Sequence, residues 1–377
     1  MANTLITLKT IAREALPRLV DNLVFPAIVY QDFAADMPMA LGDTIRVRKP
    51  SVMEAVEFDS ATGVAYGDFN EECVEVTLNR IATVDRKAEA IETATNLDNL
   101  NRAFIEPAAV ALAEKINSDG LALYSDIPYV CGTAGTTPSG LADFAAARKV
   151  LNTNKAPVSG RRAVWDVEAD AAFTQVDAIV HAEKSGSTQA LREGSIGRIF
   201  GIDNYMSQAV KSHVSGTLAA GGTGAKITIK NAVENASSVT LGVTASSGGT
   251  LTGTLVKGDI LAIGGKTAVV TENASAAANE ITVKVYPAVT AAAGVEVTLA
   301  ASHTANLAFH QNAFAYVSRP LVNPDGQGVE SYVTSYGGIS LRVTRGYNQQ
   351  YKQSTYSMDV LYGYKTVYPE LAVRVMG

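Results

Sequence analysis

Between residues 4 and 24, apolar side chains recur every three or four positions. Leu5, Leu8, Ile11, Ala12, Ala15, Leu16, Leu19 and Leu23 fall on one stripe, which predicts an amphipathic helix with one buried face. Pro17 lies inside it. Lacking an N–H and crowding the preceding turn, it is expected to kink the helix or end it midway. The period then changes to two. In "LGDTIRVRKP" (41–50) a Gly-Asp turn precedes an alternating run, with Ile45 and Val47 on one face and Arg46 and Arg48 on the other. "VEVTLNRI" (74–81) alternates in the same way, and the turn-forming "DSATGVAYGD" (59–68) lies between them. Together they read as a long two-stranded arm. Two strands alone are marginal, so the arm must rest on another surface.

Helical spacing resumes near Thr95, where Thr95 and Asp98 have capping-box spacing. Leu97, Leu100, Phe104, Ala108, Leu112 and Ile116 form its stripe; Pro107 implies a kink or restart, and Asp119-Gly120 an end or bend. "CGTAGTTPSG" (131–140) is a loop. Helix and strand then alternate: "GLADFAAARKVLNTN" as helix, "RRAVWDV" as a buried strand with the only tryptophan, and "EADAAFTQVDAIV" as helix. This is an α/β pattern. "EKSGSTQALREGSIGRIFGIDNY" closes it with a loop and a Gly-rich turn into a strand.

Residues 213–303 have another texture. They hold a single aromatic, Tyr286, and their five lysines are balanced by five acids. Short alternating runs ("AKITIKNA", "SSVTLGVTA", "DILAIGGKTAVVT", "EITVKVYPAV", "GVEVTLA") are separated by Gly/Ser/Ala turns, which predicts a small β-barrel or sandwich. Sequence of the earlier kind breaks off after "RIFGIDNYMSQAV" (198–210) and resumes with "NLAFHQNAFAYVSRPL" (306–321). The segment therefore reads as a domain inserted at a loop tip, where insertions are tolerated. The strand-rich end of the chain, Tyr347–Gly377, carries six of the fifteen tyrosines. It reads as a packed antiparallel sheet with half-exposed aromatic edges, a texture common at interfaces.

Length and composition fit a folded protein of two or three domains. No apolar run approaches the ~20 residues of a bilayer span, and "MANTLITLKT" lacks the pattern of a signal peptide. With only Cys73 and Cys131, a reducing compartment is expected. The net charge of −6 is uneven: Ser51–Asn79 contains Glu54, Glu57, Asp59, Asp68, Glu71, Glu72 and Glu75 and no Lys or Arg. Such a block repels itself and must project into solvent or lie against a basic partner. The closing segment Leu341–Arg374 offers Arg342, Arg345, Lys352, Lys365 and Arg374 against Asp359 and Glu370. The seven acids with Arg342, Arg345 and Lys352 are thus the candidate contact residues between copies, Arg46 and Arg48 being a second basic seat.

Catalytic chemistry finds little support. His181, His213, His303 and His310 have no metal-ligand spacing. "GGKT" (264–267) and "GGTGAK" (221–226) resemble phosphate loops, but Ile260 stands where the first needs its leading glycine, and the second lacks the GK[ST] ending. No nucleophile elbow, zincin motif or Cys/His dyad is present, and adjacent Glu71 and Glu72 face opposite ways in a strand. No catalytic residue, cofactor or metal is expected, and no enzymatic activity. The loose basic groups (Arg46/Arg48/Lys49, Arg80/Arg86/Lys87, Arg161/Arg162, Arg342/Arg345/Lys352) accompany no nucleic-acid motif.

The order of these parts resembles the major capsid (coat) proteins of tailed bacteriophages with the Hong Kong 97-type fold, in the subgroup that carries an inserted domain. "GDTIRVRKP" (42–50), "VEVTLNRIATVDRKAEAIE" (74–92), "GRIFGIDNYMSQAV" (197–210), "NLAFHQNAFAYVSRPL" (306–321) and "DVLYGYKTVYPELAVRVMG" (359–377) carry the likeness. It implies an α+β fold: an N-terminal arm (1–44), an extended loop (45–87), a spine helix of the peripheral domain (88–127), an axial domain (128–212 and 304–335) interrupted by the small all-β insert (213–303), and peripheral return strands (336–377). It also implies self-assembly through hexamers and pentamers into an icosahedral shell around double-stranded DNA, touched non-specifically at most. The partners would be a scaffolding protein and a portal protein, with no membrane. The chain would reside in the virion after assembly in the bacterial host cytoplasm. Some shells of this fold cross-link through a lysine on the extended loop; Ser51–Asn79 has none, so no such link is expected. The alternative within the fold is a cellular nanocompartment shell enclosing protein cargo. A β-rich adhesin lacks its signal peptide, and an α/β-hydrolase its catalytic signatures.

Overall fold

A computed structural model describes residues 8–31, 44–49, 72–89, 105–181, 192–245, 247–324, 329–348 and 353–377. The chain forms two compact units: Met1–Asn22, Gln31–Leu112 and Phe314–Val367 make the first, and Leu23–Tyr30, Ala113–Ala313 and Tyr368–Gly377 the second.

In the first unit, α1 (Leu8–Asp21) buries Ile11, Ala12, Ala15, Leu16 and Leu19, the predicted stripe. It runs through Pro17 instead of stopping there, because the stripe on both sides of the proline is buried and its packing outweighs one lost hydrogen bond. The helix packs on β21 (Val329–Tyr336) and β22 (Ile339–Asn348). Strand β22 pairs with β23 (Gln353–Thr366), and β23 also pairs with β20 (Phe314–Arg319) and with β3 (Arg80–Glu89), all antiparallel. One face of this sheet is apolar, with Val343, Met358, Val360 and Ala82 buried. The tyrosines sit inside it, Tyr316 lying 4.9 Å from Tyr364 between ring centroids. A separate ribbon joins β1 (Thr44–Lys49) and β2 (Glu72–Thr77). The expected helical start at Thr95 lies outside the described residues, while Pro107 falls in the first turn of α3 (Glu106–Leu121), the restart position where its missing N–H costs nothing.

The second unit is built on a mixed sheet in the order β4 (Val130–Gly132), β24 (Ala372–Met376), β19 (His303–His310), β5 (Arg161–Trp165), β7 (Ile202–Met206), β6 (Arg198–Ile199). Helices α4 (Leu141–Thr153) and α5 (Val167–Phe173) cover it through Phe144, Trp165 and Phe173, whose ring centroids lie 4.5–5.1 Å apart. The helix expected over "EADAAFTQVDAIV" is broken at Thr174, and α6 (Asp177–Val180) follows as one turn. The short β8 (Ser212–His213) lies antiparallel beside the start of β19, His213 opposite His303. The chain therefore leaves and re-enters the sheet at paired positions.

Between those positions lies a six-stranded antiparallel body ordered β10 (Lys226–Ile229), β11 (Val233–Thr244), β17 (Ile281–Ala291), β15 (Lys266–Val270), β14 (Ile260–Ile263), β18 (Val297–Leu299). The bonds Ile229 N–H to Val295 O (3.0 Å) and Gly294 N–H to Ile229 O (2.8 Å), with a bridge from Thr228 to Glu296, join the last strand to the first. The body is a closed barrel filled by Val239, Leu241, Leu261, Ile263, Val270, Ile281, Val283 and Val297. Ribbons β9–β12 (Ala219–Thr223, Ser247–Thr252) and β13–β16 (Thr254–Leu255, Ala274–Ser275) complete it. "GGKT" is the β14–β15 hairpin turn: Gly264 and Gly265 have φ of 56° and 81°, and Ile263 pairs with Lys266. This is the two-residue turn that needs left-handed residues, not a phosphate cradle.

The seam between barrel and sheet holds a buried ionic cluster. Arg374 of β24, counted above as a surface cation, is fully buried. Its guanidinium donates to Gly258 O (2.8 Å), Tyr124 O (2.5 Å) and Ile127 O (3.3 Å), and lies 4.9 Å over the Tyr124 ring. Gly258 is a forced choice, with φ of 97° and a position where a Cβ would sit 3.2 Å from that of Ser125. Next to it, buried Asp259 accepts from the N–H groups of Val256 (2.7 Å) and Gly216 (3.1 Å) and from His213 Nε2 (2.8 Å). His213 Nδ1 then accepts from the Tyr124 hydroxyl at 3.1 Å. His303 donates from Nδ1 to Ala301 O (2.7 Å), which turns its Nε2 lone pair toward Arg374 at 3.5 Å. Burial draws Arg374 down to about 10, still a cation at neutral pH. Burial likewise holds His303 below the ordinary histidine value; the bond to Ala301 opposes this and Arg374 reinforces it.

Two outcomes follow. Arg374→Met leaves three carbonyls without their donor and should lower stability by about 3 kcal/mol, read as a shift in urea midpoint. His303 favours its neutral form when folded. Stability is therefore full above 6.5 and falls as pH drops through that value toward the depressed folded one. The His303→Asn variant should show a shallower fall in urea midpoint between pH 7.5 and 5.

Candidate functional site

The candidate contact residues belong to the first unit. Glu54, Glu57, Asp59, Asp68, Glu71 and Lys352 lie outside the described residues. Glu72 and Glu75 are on β2, where the backbone register sets them opposite Lys49 and Arg46 of β1. Two of the seven acids thus hold register positions opposite cations of their own ribbon.

Arg342 is not an open cation. Its Nε and Nη2 donate to Asp359 Oδ2 at 3.0 and 2.7 Å, and Nη1 to Val322 O at 2.9 Å. Asp359, itself buried, takes a further bond from Ser357 Oγ (2.6 Å), which lies 3.2 Å from Thr83 Oγ1 of β3. The pair ties three adjacent strands together on the polar face of the sheet. Arg345 is different. In register, Glu330, Arg345, Tyr356 and Arg86 form one row across β21, β22, β23 and β3, with the Arg345 guanidinium 5.7 Å over the Tyr356 ring. Lys87 follows Arg86 on β3, and both are exposed. Among the described residues, Arg345 and Arg86 therefore put two cations on one row of this face, while Lys87, next along β3, points to the opposite face. The sequence marks Arg86 and Lys87 only as a loose basic group, because nothing in their local pattern says which strand they will lie beside.

Elsewhere the reactive groups have structural employment. His213 and His303 belong to the ionic cluster, and burial with nearby Asp143 pushes the Cys131 thiol up to about 12, which keeps it protonated. Among the described residues, no group of three His, Cys, Asp or Glu side chains is placed to hold a metal ion. No helix there is long and apolar enough to cross a membrane.

No protein-family model matches the chain, and no curated protein matches it. Solved structures do. The structure described as Mycobacterium phage Che8 matches with a TM-score of 0.52 at 16% identity, covering 94% of this chain and 90% of that one. The capsid structure of the Cyanophage P-SCSP1u (TM-score 0.46, 11% identity, 90% and 84% covered) and a virus-like particle from Pyrococcus furiosus (0.42, 9%, 97% and 98%) are also similar. The fold rests on the first of these: this is the mixed helix-and-sheet Hong Kong 97-type fold that the sequence led us to expect.

The two arginines should separate cleanly. Arg342→Gln strands the buried Asp359 carboxylate and is expected to cost roughly 3 kcal/mol. Arg345→Gln, at a half-buried position where it strands no buried carboxylate, should cost no more than about 1 kcal/mol. Paired urea titrations decide it.

Proposed function

We propose that the chain is the major shell protein of a tailed-phage head, self-assembling into an icosahedral capsid around double-stranded DNA. The observation that carries this is the whole-chain likeness to a phage structure, 94% of one chain over 90% of the other, reached from a sequence with no catalytic signature. The role is structural, not enzymatic. Hexamers and pentamers of the same chain are its principal partners. A scaffolding protein and a portal assist assembly in the host cytoplasm, and the finished location is the virion. On this reading 1–44 is the arm, 45–87 the extended loop, and the first unit the peripheral domain. The sheet of the second unit is the axial domain, with the barrel as its insert.

On this reading two boundaries are drawn away from their sequence-based positions. Strands β20 and β21, expected with the axial part at 304–335, belong to the first unit, and residues 368–377 return to the second. Alternation identifies a strand without naming its partner, so the crossing points at 313/314 and 367/368 had no signature.

In this proposal the acidic loop of one subunit lies on the basic row of its neighbour. Arg345 and Arg86 make the seat, since Arg342 is spent on Asp359. Exposed ion pairs contribute only ~0–1 kcal/mol each, so the effect is on register and assembly rate. Electron microscopy of particles from expressing cells should show closed shells containing genome-length DNA when the other phage components are present. Shells filled with protein and empty of DNA would move the chain to the nanocompartment role; absence of any closed particle would end the proposal. Reversing Glu54, Glu57 and Glu71 to Lys should block assembly at low salt while leaving the monomer folded. A denaturing gel of mature shells should show single subunits and no ladder.

A further inference from the structure

The sheet of the second unit has oppositely charged ends. Strands β5 and β7 run parallel, Arg161 beside Ile202 and Trp165 beside Met206, so the β6–β7 turn lies where β5 begins. Helix α4 ends at Thr153, and residues 154–160 lead back into β5, whose Arg161 donates to Ala156 O and Pro157 O at 2.7 Å. The second half of α4 is therefore at that same end. There a cleft of about 570 Å³ opens, lined by Ala145, Arg148, Lys149, Asn152, Thr153 and Phe200. Phe200 stands in the left-handed region at φ 48°, directly before Gly201 at φ 82°, and leaves 43% of its surface exposed. A bulky residue rarely adopts that backbone; here it forms an outward wall for the cleft.

Where β5 finishes, the chain turns through Asp166 into α5. Val167 is 51% exposed, Glu168 is exposed and Asp170 half-buried. Burial, reinforced by Asp166, holds the Asp170 carboxyl above its usual range, so a nearby cation would be welcome. From Asp166 to His181 there are four acids and no Lys or Arg, whereas 141–160 has Arg148, Lys149 and Lys155 against Asp143 alone. Each end thus carries exposed apolar side chains beside a segment whose charge is mainly of one sign, and the two signs are opposite.

We infer that the Arg148–Lys149–Phe200 cleft of one copy receives the Val167–Glu168–Asp170 face of a second copy. The occupant is a second copy because the basic 141–160 segment and the acidic 166–181 segment are complementary in charge and each lies beside exposed apolar surface, while two cations beside an aromatic ring form too short a track for a polyanion. A contact between different patches on identical chains is head-to-tail, and it generates closed rings or open filaments. Resting on the shell reading, it supplies the contact that builds a capsomer ring, distinct from the reach of the acidic loop.

The test is a charge swap. Arg148→Glu with Lys149→Glu, and separately Glu168→Lys with Asp170→Lys, should each raise the concentration needed for assembly by about tenfold or more, as like charges oppose one another. All four changes in one chain should restore assembly to within about threefold of the parent. Light scattering and electron microscopy give the readout, with circular dichroism as the folding control. If a reversal does not fold, Arg148→Gln and Glu168→Gln replace it, each expected to weaken the salt dependence of assembly. Either reversal assembling like the parent, a swapped chain no better than its parents, or an unchanged salt dependence in the Gln variants overturns the contact. A parent protein that forms no particle overturns the shell reading instead, so the two failures are distinguishable.

Discussion

A single guanidinium holds the second unit in one piece. Arg374 sits in the last strand, yet its donors reach carbonyls at Tyr124 and Ile127, after α3, and at Gly258, within the barrel. Three segments separated by more than a hundred residues meet on one side chain. Lysine has neither the planar fork nor the weak hydration that lets arginine satisfy several carbonyls in a dry place. The histidine–aspartate pair beside it, at the strand that leads into the barrel, completes a seam in which polar groups meet polar partners, the buried Nε of Arg374 excepted. Such a seam fixes geometry more than it adds stability, because each mismatch leaves a buried group unsatisfied.

The odd texture of residues 213–303 has a geometric cause. A six-stranded barrel encloses little space, and aliphatic side chains fill it. Aromatic rings do not fit inside, so the single aromatic, Tyr286, turns to Glu370 at 2.8 Å. The Gly-Gly turns that resemble phosphate loops are the corners such short strands require. The polar balance outside belongs to a body that touches its host mainly at one seam.

Local periodicity made most elements legible: the α1 stripe, the alternating barrel strands, the buried tryptophan strand and the tyrosine-rich sheet. Partnership was not legible. Arg342 and Arg374 count as cations in any charge tally, but one is paired with Asp359 and the other buried under Tyr124. No local pattern distinguishes them from Arg345, because their partners come from other strands or other regions. Pro17 left open whether the helix ends or continues past it, because the packing that carries the helix through is not written nearby. Phe200 carries no sequence signal beyond the glycine after it, and its place opposite α4 emerges only from the parallel pairing of β5 with β7.

The order in which strands enter the sheets has a kinetic side. In the second unit, β24 joins β4 to β19, yet it is the last strand made; in the first, β23 sits in the middle and is made almost as late. The barrel, by contrast, finds all its partners within about ninety residues and closes without exposed edges. A ribosome emitting this chain therefore releases one finished body early and two unfinished sheets whose missing strands arrive together at the end. A chain cut short before residue 353 lacks both β23 and β24 and completes neither sheet, while its barrel is already whole.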